Sequence, residues 1–300
     1  MRRILGSGAS SDRGPGDREE EARPGGAPCI GPAATRALYP LVGSAFVLRY
    51  YLGEGRHAIS RREFGPRRNG FWGRPAAAVR RIGSHARPLW VHAAAAGETM
   101  AAAPLLRRLR RSLAGRPLVL SHSELEGEAQ ARALGLDVDG LFYFPLDLPG
   151  IAGRALSDID PLAVILVESE LWPNSLWAAR HRGIPVALVN AEMFDWGRQT
   201  QFPRWVRPFY GHMLQAIDVV GAKSRADARN LEALGLPPER IKITGELKVE
   251  ALGPAATREE REALASELGL DGRHLCGPES LSGRSRVPSF MAEQLVSCVP

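Results

Sequence analysis

From Leu89 onward the chain repeats one rhythm, in which a short apolar run gives way to an amphipathic stretch and then to another apolar run. The runs are Leu89 to His92, Leu118 to Ser121, Leu141 to Phe144, Leu162 to Val167, Val186 to Asn190, Val219 to Ala222 and Ile241 to Thr244. Between them lie helix signals. A Ser224-x-x-Asp227 capping box precedes Ala228 to Leu234, Leu234-Gly235 supplies a stop, and further helices are expected over Met100 to Leu113 and Arg258 to Leu268. Strands alternating with helices predict an α/β, Rossmann-like, doubly wound parallel sheet with helices on both faces. In such sheets ligands bind at the carboxyl ends of the strands, which is where His92, Glu98 and Glu168 fall.

The rhythm sets the domain boundaries. Residues 1–35 are rich in Gly, Pro, Arg and Glu, hold hardly any large apolar side chain, and read as a disordered leader. Residues 36–88 read as a membrane-associating basic segment. The stretch 36–90 carries eleven Arg against Glu54 and Glu63, although the whole chain has a net charge of only +6. That charge follows the apolar run Ala37 to Leu48, about half the roughly 20 residues a spanning helix needs, so the run is an interfacial anchor or a buried helix. A basic cluster beside an apolar run suits an anionic membrane surface; nucleic-acid binding would spread basic stripes and aromatics along the body. Residues 89–270 form the Rossmann-like domain, and 271–300 an irregular tail. Cys29, Cys276 and Cys298 are widely separated and pair with no second Cys or His at metal-binding spacing, so no metal site is expected and a reducing compartment is.

The candidate site begins in His92-Ala-Ala-Ala-Ala-Gly97-Glu98-Thr99. Small residues up to Gly97 let a ligand approach the backbone, and the next helix turns its positive end toward the same place. Glu98 in that first turn is either a favourable end charge or a general base, and the helix dipole is expected to favour its ionised form. A second stretch, Val167-Glu-Ser-Glu-Leu-Trp-Pro-Asn174, closes the most hydrophobic run. Glu168 and Glu170, two residues apart at a strand end, can point the same way, and such a pair could bind sugar hydroxyls or position a reacting group, or else be solvated loop charges, with Trp172 and Trp177 adding aromatic surface. His92 either orients Glu98 or is structural, and Lys248 either meets a phosphate or lies on the surface. No G-x-S-x-G, Walker or G-x-G-x-x-G signature is present.

Four stretches in this order and spacing resemble the 3-deoxy-D-manno-octulosonic acid (Kdo) transferases: Trp90 to Glu98 with Ala102 to Leu106, Phe144 to Pro149, Val167 to Asn174, and Thr244 to Lys248. The resemblance covers about residues 37–252. It implies the amino-terminal, acceptor-binding half of a two-domain GT-B glycosyltransferase, without the donor domain, and so a partial or inactive form. The activity it implies is inverting, metal-independent transfer of Kdo from CMP-Kdo to a lipid A precursor, in lipopolysaccharide core biosynthesis. By resemblance Glu98 is the catalytic base, and His92, Gly97, Glu168, Glu170, Asn174 and Lys248 bind substrate. No cofactor is implied. The implied place is the cytoplasmic face of the inner membrane, peripheral or amino-terminally anchored. The chain departs from the family pattern at Ala95, where a serine is usual, at Ser121 to Gly127, where a Thr-rich turn is usual, and at Glu192 and Trp196, where two arginines are usual. Two other readings stay open: a non-catalytic module binding lipid A precursor or membrane, and a sugar-nucleotide epimerase or hydrolase on a similar scaffold.

Overall fold

The seven expected strands all form, and every pairing between them is parallel. The computed structural model describes residues 72–75, 77–113, 115–193, 206–251 and 257–267. The leader 1–35, the run Ala37 to Leu48, the three cysteines, Trp196 and the tail 271–300 lie outside the described residues. In chain order the elements are α1 (Ala77–His85), β1 (Leu89–His92), α2 (Ala96–Ser112), β2 (Leu118–His122), α3 (Leu125–Ala133), β3 (Gly140–Tyr143), α4 (Ile151–Ile159) and β4 (Ala163–Val167). There follow α5 (Pro173–His181), β5 (Val186–Ala191), α6 (Val206–Leu214), β6 (Val219–Ala222), α7 (Arg225–Ala233), β7 (Ile241–Ile243), α8 (Leu247–Ala251) and α9 (Arg258–Glu267).

The strand order is β3-β2-β1-β4-β5-β6-β7. The chain winds outward to one edge through β3, then returns to lay β4 on the other side of β1, which makes the β1/β4 boundary the topological switch point. A crevice opens there at the carboxyl ends of the strands.

Every residue of β1, β2, β4 and β5 is buried, as strands covered on both faces require. Period-two alternation divides their side chains between two cores. Trp90, Val119, Val164, Leu166 and Leu188 pack with Leu156, Leu176 and Leu231 from α4, α5 and α7. Val91, Leu120, Ile165, Val167 and Val189 pack with Ala101, Leu105 and Leu106 of α2 and with Leu247 of α8. Each such large side chain contributes about 1.5–3 kcal/mol on burial, so the sheet centre, which carries the site, is the most firmly held part of the fold.

The segment 36–88 is not uniform. Within it, α1 packs on the domain: Val79 is buried, and Gly83 lies so close to α4 that a Cβ there would stand 2.4 Å from the Ile159 carbonyl oxygen. Among the described residues no helix is long and apolar enough to cross a membrane.

Candidate active site

At the end of β1 the ladder runs one residue past the strand, Ala93 N–H donating to the Ser121 carbonyl at 3.0 Å. The Ala94 carbonyl then accepts from both Ser123 N–H (2.9 Å) and Glu124 N–H (3.0 Å), which ties the β1–α2 turn to the β2–α3 turn. Gly127 permits this contact, because a Cβ there would lie 3.1 Å from the Ala94 oxygen and 3.0 Å from the His122 Cβ. The helix that follows begins at Ala96, four residues before the expected start at Met100. Ala95 and Ala96 carry no capping group that would mark the boundary in the sequence. Ala95 is the N-cap residue and makes no side-chain cap bond, where a serine would have supplied one.

Glu98 is the third residue of α2, and its Oε2 accepts from Ala94 N–H at 2.5 Å. The N–H of Ala95, the N-cap, also bonds the carboxyl, which is the reach-back half of a capping box whose other half is missing. The expectation that the helix end would favour an ionised Glu98 is corrected by the structure. Burial raises the Glu98 carboxyl above its ordinary value of 4.5, the neighbouring Glu170 and Glu168 carboxylates raise it further, and the Ala94 and Ala95 N–H groups offset only part, leaving it at about 8. Desolvation and like charge outweigh the helix end. The carboxyl is therefore mostly protonated at neutral pH, and its ionised form is a much stronger base than an ordinary carboxylate. Proton affinity near the working pH is what general-base chemistry requires.

Glu168 and Glu170 meet different partners. Glu168 adopts φ +63°, in the left-handed region, within the turn that follows β4. Glu168 Oε1 accepts from Lys248 Nζ at 2.8 Å and Asn190 Nδ2 at 3.3 Å. Glu170 Oε2 accepts from Trp172 Nε1 at 2.7 Å and faces His92 Nε2 at 3.3 Å. Burial alone would raise Glu170, but the hydrogen bond and charge of His92 and the hydrogen bond from Trp172 hold it below the usual carboxylate value. A left-handed non-glycine residue costs on the order of 1–3 kcal/mol and clusters at functional clefts. Asn190, at φ +56°, is a second such residue at the same sheet end, in the irregularity where β5 meets β6.

The remaining expected site residues divide. His92 is fully buried, with Nδ1 3.1 Å from the Ser121 carbonyl and 3.0 Å from the Ser121 Oγ, and its ring stacks on Phe144 at 4.0 Å. Gly97 is exposed beside open space, with nothing within 4 Å of where a Cβ would stand. Lys248 meets the Glu168 carboxylate, so its charge is already partnered. Asn174 is engaged elsewhere: its Nδ2 donates to the Asp147 carbonyl at 2.7 Å and its backbone N–H to Asp147 Oδ2 at 3.0 Å.

The structure adds residues that the sequence reading missed. Asp147, buried, closes the first turn of α5 by accepting from the N–H groups of Asn174 and Ser175. Asn190, also buried, donates to Glu246 Oε1 at 2.9 Å and accepts from Leu247 N–H at 2.9 Å, so it joins the ends of β4 and β5 to the start of α8. Lys223 is held between Glu192 Oε2 (2.8 Å) and Glu246 Oε2 (3.0 Å). The departure from the family pattern at Glu192 thus places an anion against a lysine of the same sheet end. Asn at a strand end, where left-handed backbone is tolerated, was the one available signal for Asn190. Among the described residues no group of three or more His, Cys, Asp or Glu side chains is arranged to hold a metal ion.

Residues 66–251 match the family model described as 3-deoxy-D-manno-octulosonic-acid transferase. The chain is 33% identical over 189 residues to the 3-deoxy-D-manno-octulosonic acid transferase of Bordetella pertussis, covering 61% of this chain and 43% of that protein. It is 28% identical over 162 residues to the Haemophilus influenzae protein of the same name, covering 54% and 38%. The matched region thus spans about two-fifths of the length of these relatives. The UDP-GlcNAc 2-epimerase of Neisseria meningitidis, whose structure holds UDP-GlcNAc, superimposes with a TM-score of 0.43 at 16% identity, covering 55% of this chain and 48% of that one; so loose a likeness carries no functional argument. On the family match, which covers more than half of its residues, the chain belongs to the 3-deoxy-D-manno-octulosonic acid transferase family.

Proposed function

We propose that this chain supplies the acceptor-binding half of a glycosyltransferase that moves Kdo from CMP-Kdo to a lipid A precursor, with Glu98 as the general base. The observation that carries this reading is the placement of Glu98. It sits at the amino end of α2, beside open space at Gly97, next to the sheet's switch point, with a carboxyl raised to about 8.

In the proposed step the ionised Glu98 takes the proton from a glucosamine 6-hydroxyl of the acceptor. The hydroxyl oxygen forms a bond to the anomeric carbon of Kdo while the bond from that carbon to the CMP phosphate oxygen breaks. CMP leaves with the electron pair, the anomeric configuration inverts, and Glu98 ends protonated. No metal ion enters the step as proposed. Positioned general-base catalysis of this kind contributes about 10²–10⁴-fold. Glu168 and Glu170 line the cleft, and the basic stretch 36–88 lies against the anionic cytoplasmic surface of the inner membrane, where each cation near the surface is worth about 1 kcal/mol. The donor half lies outside the region matched here.

The test is a transfer assay. The chain, joined to the carboxyl-terminal half of the Bordetella pertussis relative, is given CMP-Kdo and a tetraacylated lipid A precursor, and products are read by mass spectrometry. A Kdo-modified lipid is expected. A folded fusion that binds the lipid and transfers nothing would overturn the catalytic reading.

A further inference from the structure

The carboxylates of Glu168 and Glu170 are two residues apart, yet their surroundings differ in kind. Glu168 is partnered by a full cation, Lys248 Nζ at 2.8 Å. Glu170 is partnered by ring N–H groups from two elements. Trp172, at the start of α5, donates at 2.7 Å, and His92, at the end of β1, presents Nε2 at 3.3 Å. Because an ionised carboxylate only accepts, Nε2 carries the proton that faces Glu170. Nδ1 is then served by Ser121, whose hydroxyl donates to it when the ring is neutral and accepts from it when the ring is charged. That hydroxyl is fixed in turn by Trp90 Nε1 at 2.7 Å. The chain Trp90, Ser121, His92, Glu170, Trp172 thus runs from the core to the cleft, with Phe144 stacked on the imidazole to remove its rotational freedom.

We propose that His92 and Glu170 form a positioning pair for the reaction of this cleft: the buried imidazole holds the Glu170 carboxylate at the end of β1, two residues before Ala94, whose N–H binds Glu98 Oε2, and so keeps one fixed negative charge on the Glu98 side of the cleft. The inference rests on Glu98 being the base.

Buried polar networks contribute little net stability over an apolar packing of the same shape, so folding alone gives this pair little reason to exist. After burial, Glu170 is the largest influence raising the Glu98 carboxyl, ahead of Glu168, as expected if Lys248 offsets the Glu168 charge. The charged groups on elements packed around α2 include Glu168 and Glu170 from the β4–α5 turn, His92 from β1, Lys248 from α8, the His122–Glu128 pair (3.4 Å) of β2 and α3, and Glu126 and Arg132 of α3, the last paired with Glu128. Of these, only Glu168 and Glu170 act on Glu98 strongly enough to move it.

The experiment is a ¹³C-carboxyl NMR titration of the glutamate-labelled chain, with the Glu98 resonance assigned by its loss in Glu98→Gln. In Glu170→Gln, which preserves shape and hydrogen bonding, the Glu98 midpoint is expected to fall by about one pH unit or more, tenfold in proton affinity. In Glu168→Gln it should fall by less. A Glu98 midpoint unchanged in a folded Glu170→Gln chain overturns the pair, and so does a larger fall in Glu168→Gln. No substrate enters the titration. A fall in Glu170→Gln alongside failed Kdo transfer keeps the pair and rejects the proposed function, whereas transfer with an unmoved midpoint rejects the pair alone.

Discussion

Replacing Glu98 by Gln should stabilise the folded chain at alkaline pH, the reverse of the usual effect of changing a partly buried, hydrogen-bonded residue. The glutamine oxygen can still accept from Ala94 N–H, the bond that Glu98 Oε2 makes, while the ionisable group is gone. In the wild-type chain the carboxyl rises from 4.5 to about 8 on folding. Below pH 4.5 it is protonated in both folded and unfolded chains and imposes no penalty. Between 4.5 and about 8 the unfolded chain releases the proton while the folded chain keeps it, so stability falls as pH rises; above about 8 the penalty is complete. At about 1.4 kcal/mol per tenfold change in proton affinity, the ceiling is about 5 kcal/mol. Solvent reaching a carboxyl that is only partly buried reduces this to roughly 2–3 kcal/mol. Urea unfolding followed by circular dichroism should therefore find the two chains within about 1 kcal/mol near pH 5 and Glu98→Gln more stable by roughly 2–3 kcal/mol at pH 9. The lowered Glu246 carboxyl and the raised Lys223 ammonium are common to both chains, and their contributions cancel in the difference. Parallel stability curves across that range would refute the assignment of a raised proton affinity to Glu98.

Three further substitutions probe the frame around the site. Ala95→Ser should complete the capping box with Glu98 and stabilise the chain by about 1 kcal/mol, seen as a higher urea midpoint; no gain would mean that the N-cap geometry at residue 95 is unsuited to a side-chain bond. Asp147→Ala strips the acceptors from the N–H groups of Asn174 and Ser175 and should cost about 2–3 kcal/mol, with amide exchange accelerated locally in the first turn of α5. Gly83→Ala forces a Cβ against the backbone carbonyl of Ile159 and should cost about 1–3 kcal/mol; wild-type stability in that variant would show that α1 does not pack on α4 as described.

The sheet was legible because its strands are covered on both faces and read as unbroken apolar runs: Ala163–Val167 needs no knowledge of its neighbours to be recognised. The Ser224/Asp227 cap was legible for the same reason, since donor and acceptor lie three residues apart and the bond forms, Asp227 N–H donating to Ser224 Oγ. The start of α2 was misplaced because Ala95, Ala96 and Gly97 give no boundary signal. Glu98 could be located from the strand-to-helix pattern, but its protonation could not. That property depends on burial and on Glu170, which lies 72 positions along the chain and comes beside it only when β4 inserts next to β1. The same distance hid Asn190, which reaches Glu246 across 56 positions, and Asp147, which reaches Asn174 across 27. Glu168 and Glu170 were found but not their different partners, and nothing in the sequence marks residue 168 as left-handed.

The claim that Glu98 is the base of a Kdo transfer is tested most directly by comparing initial rates of the donor-fused chain and its Glu98→Gln variant, with CMP-Kdo and tetraacylated lipid A precursor at saturating acceptor. The account predicts that the variant binds the acceptor as the wild type does and transfers Kdo about 10²–10⁴ times more slowly. Equal rates in the two chains would contradict it.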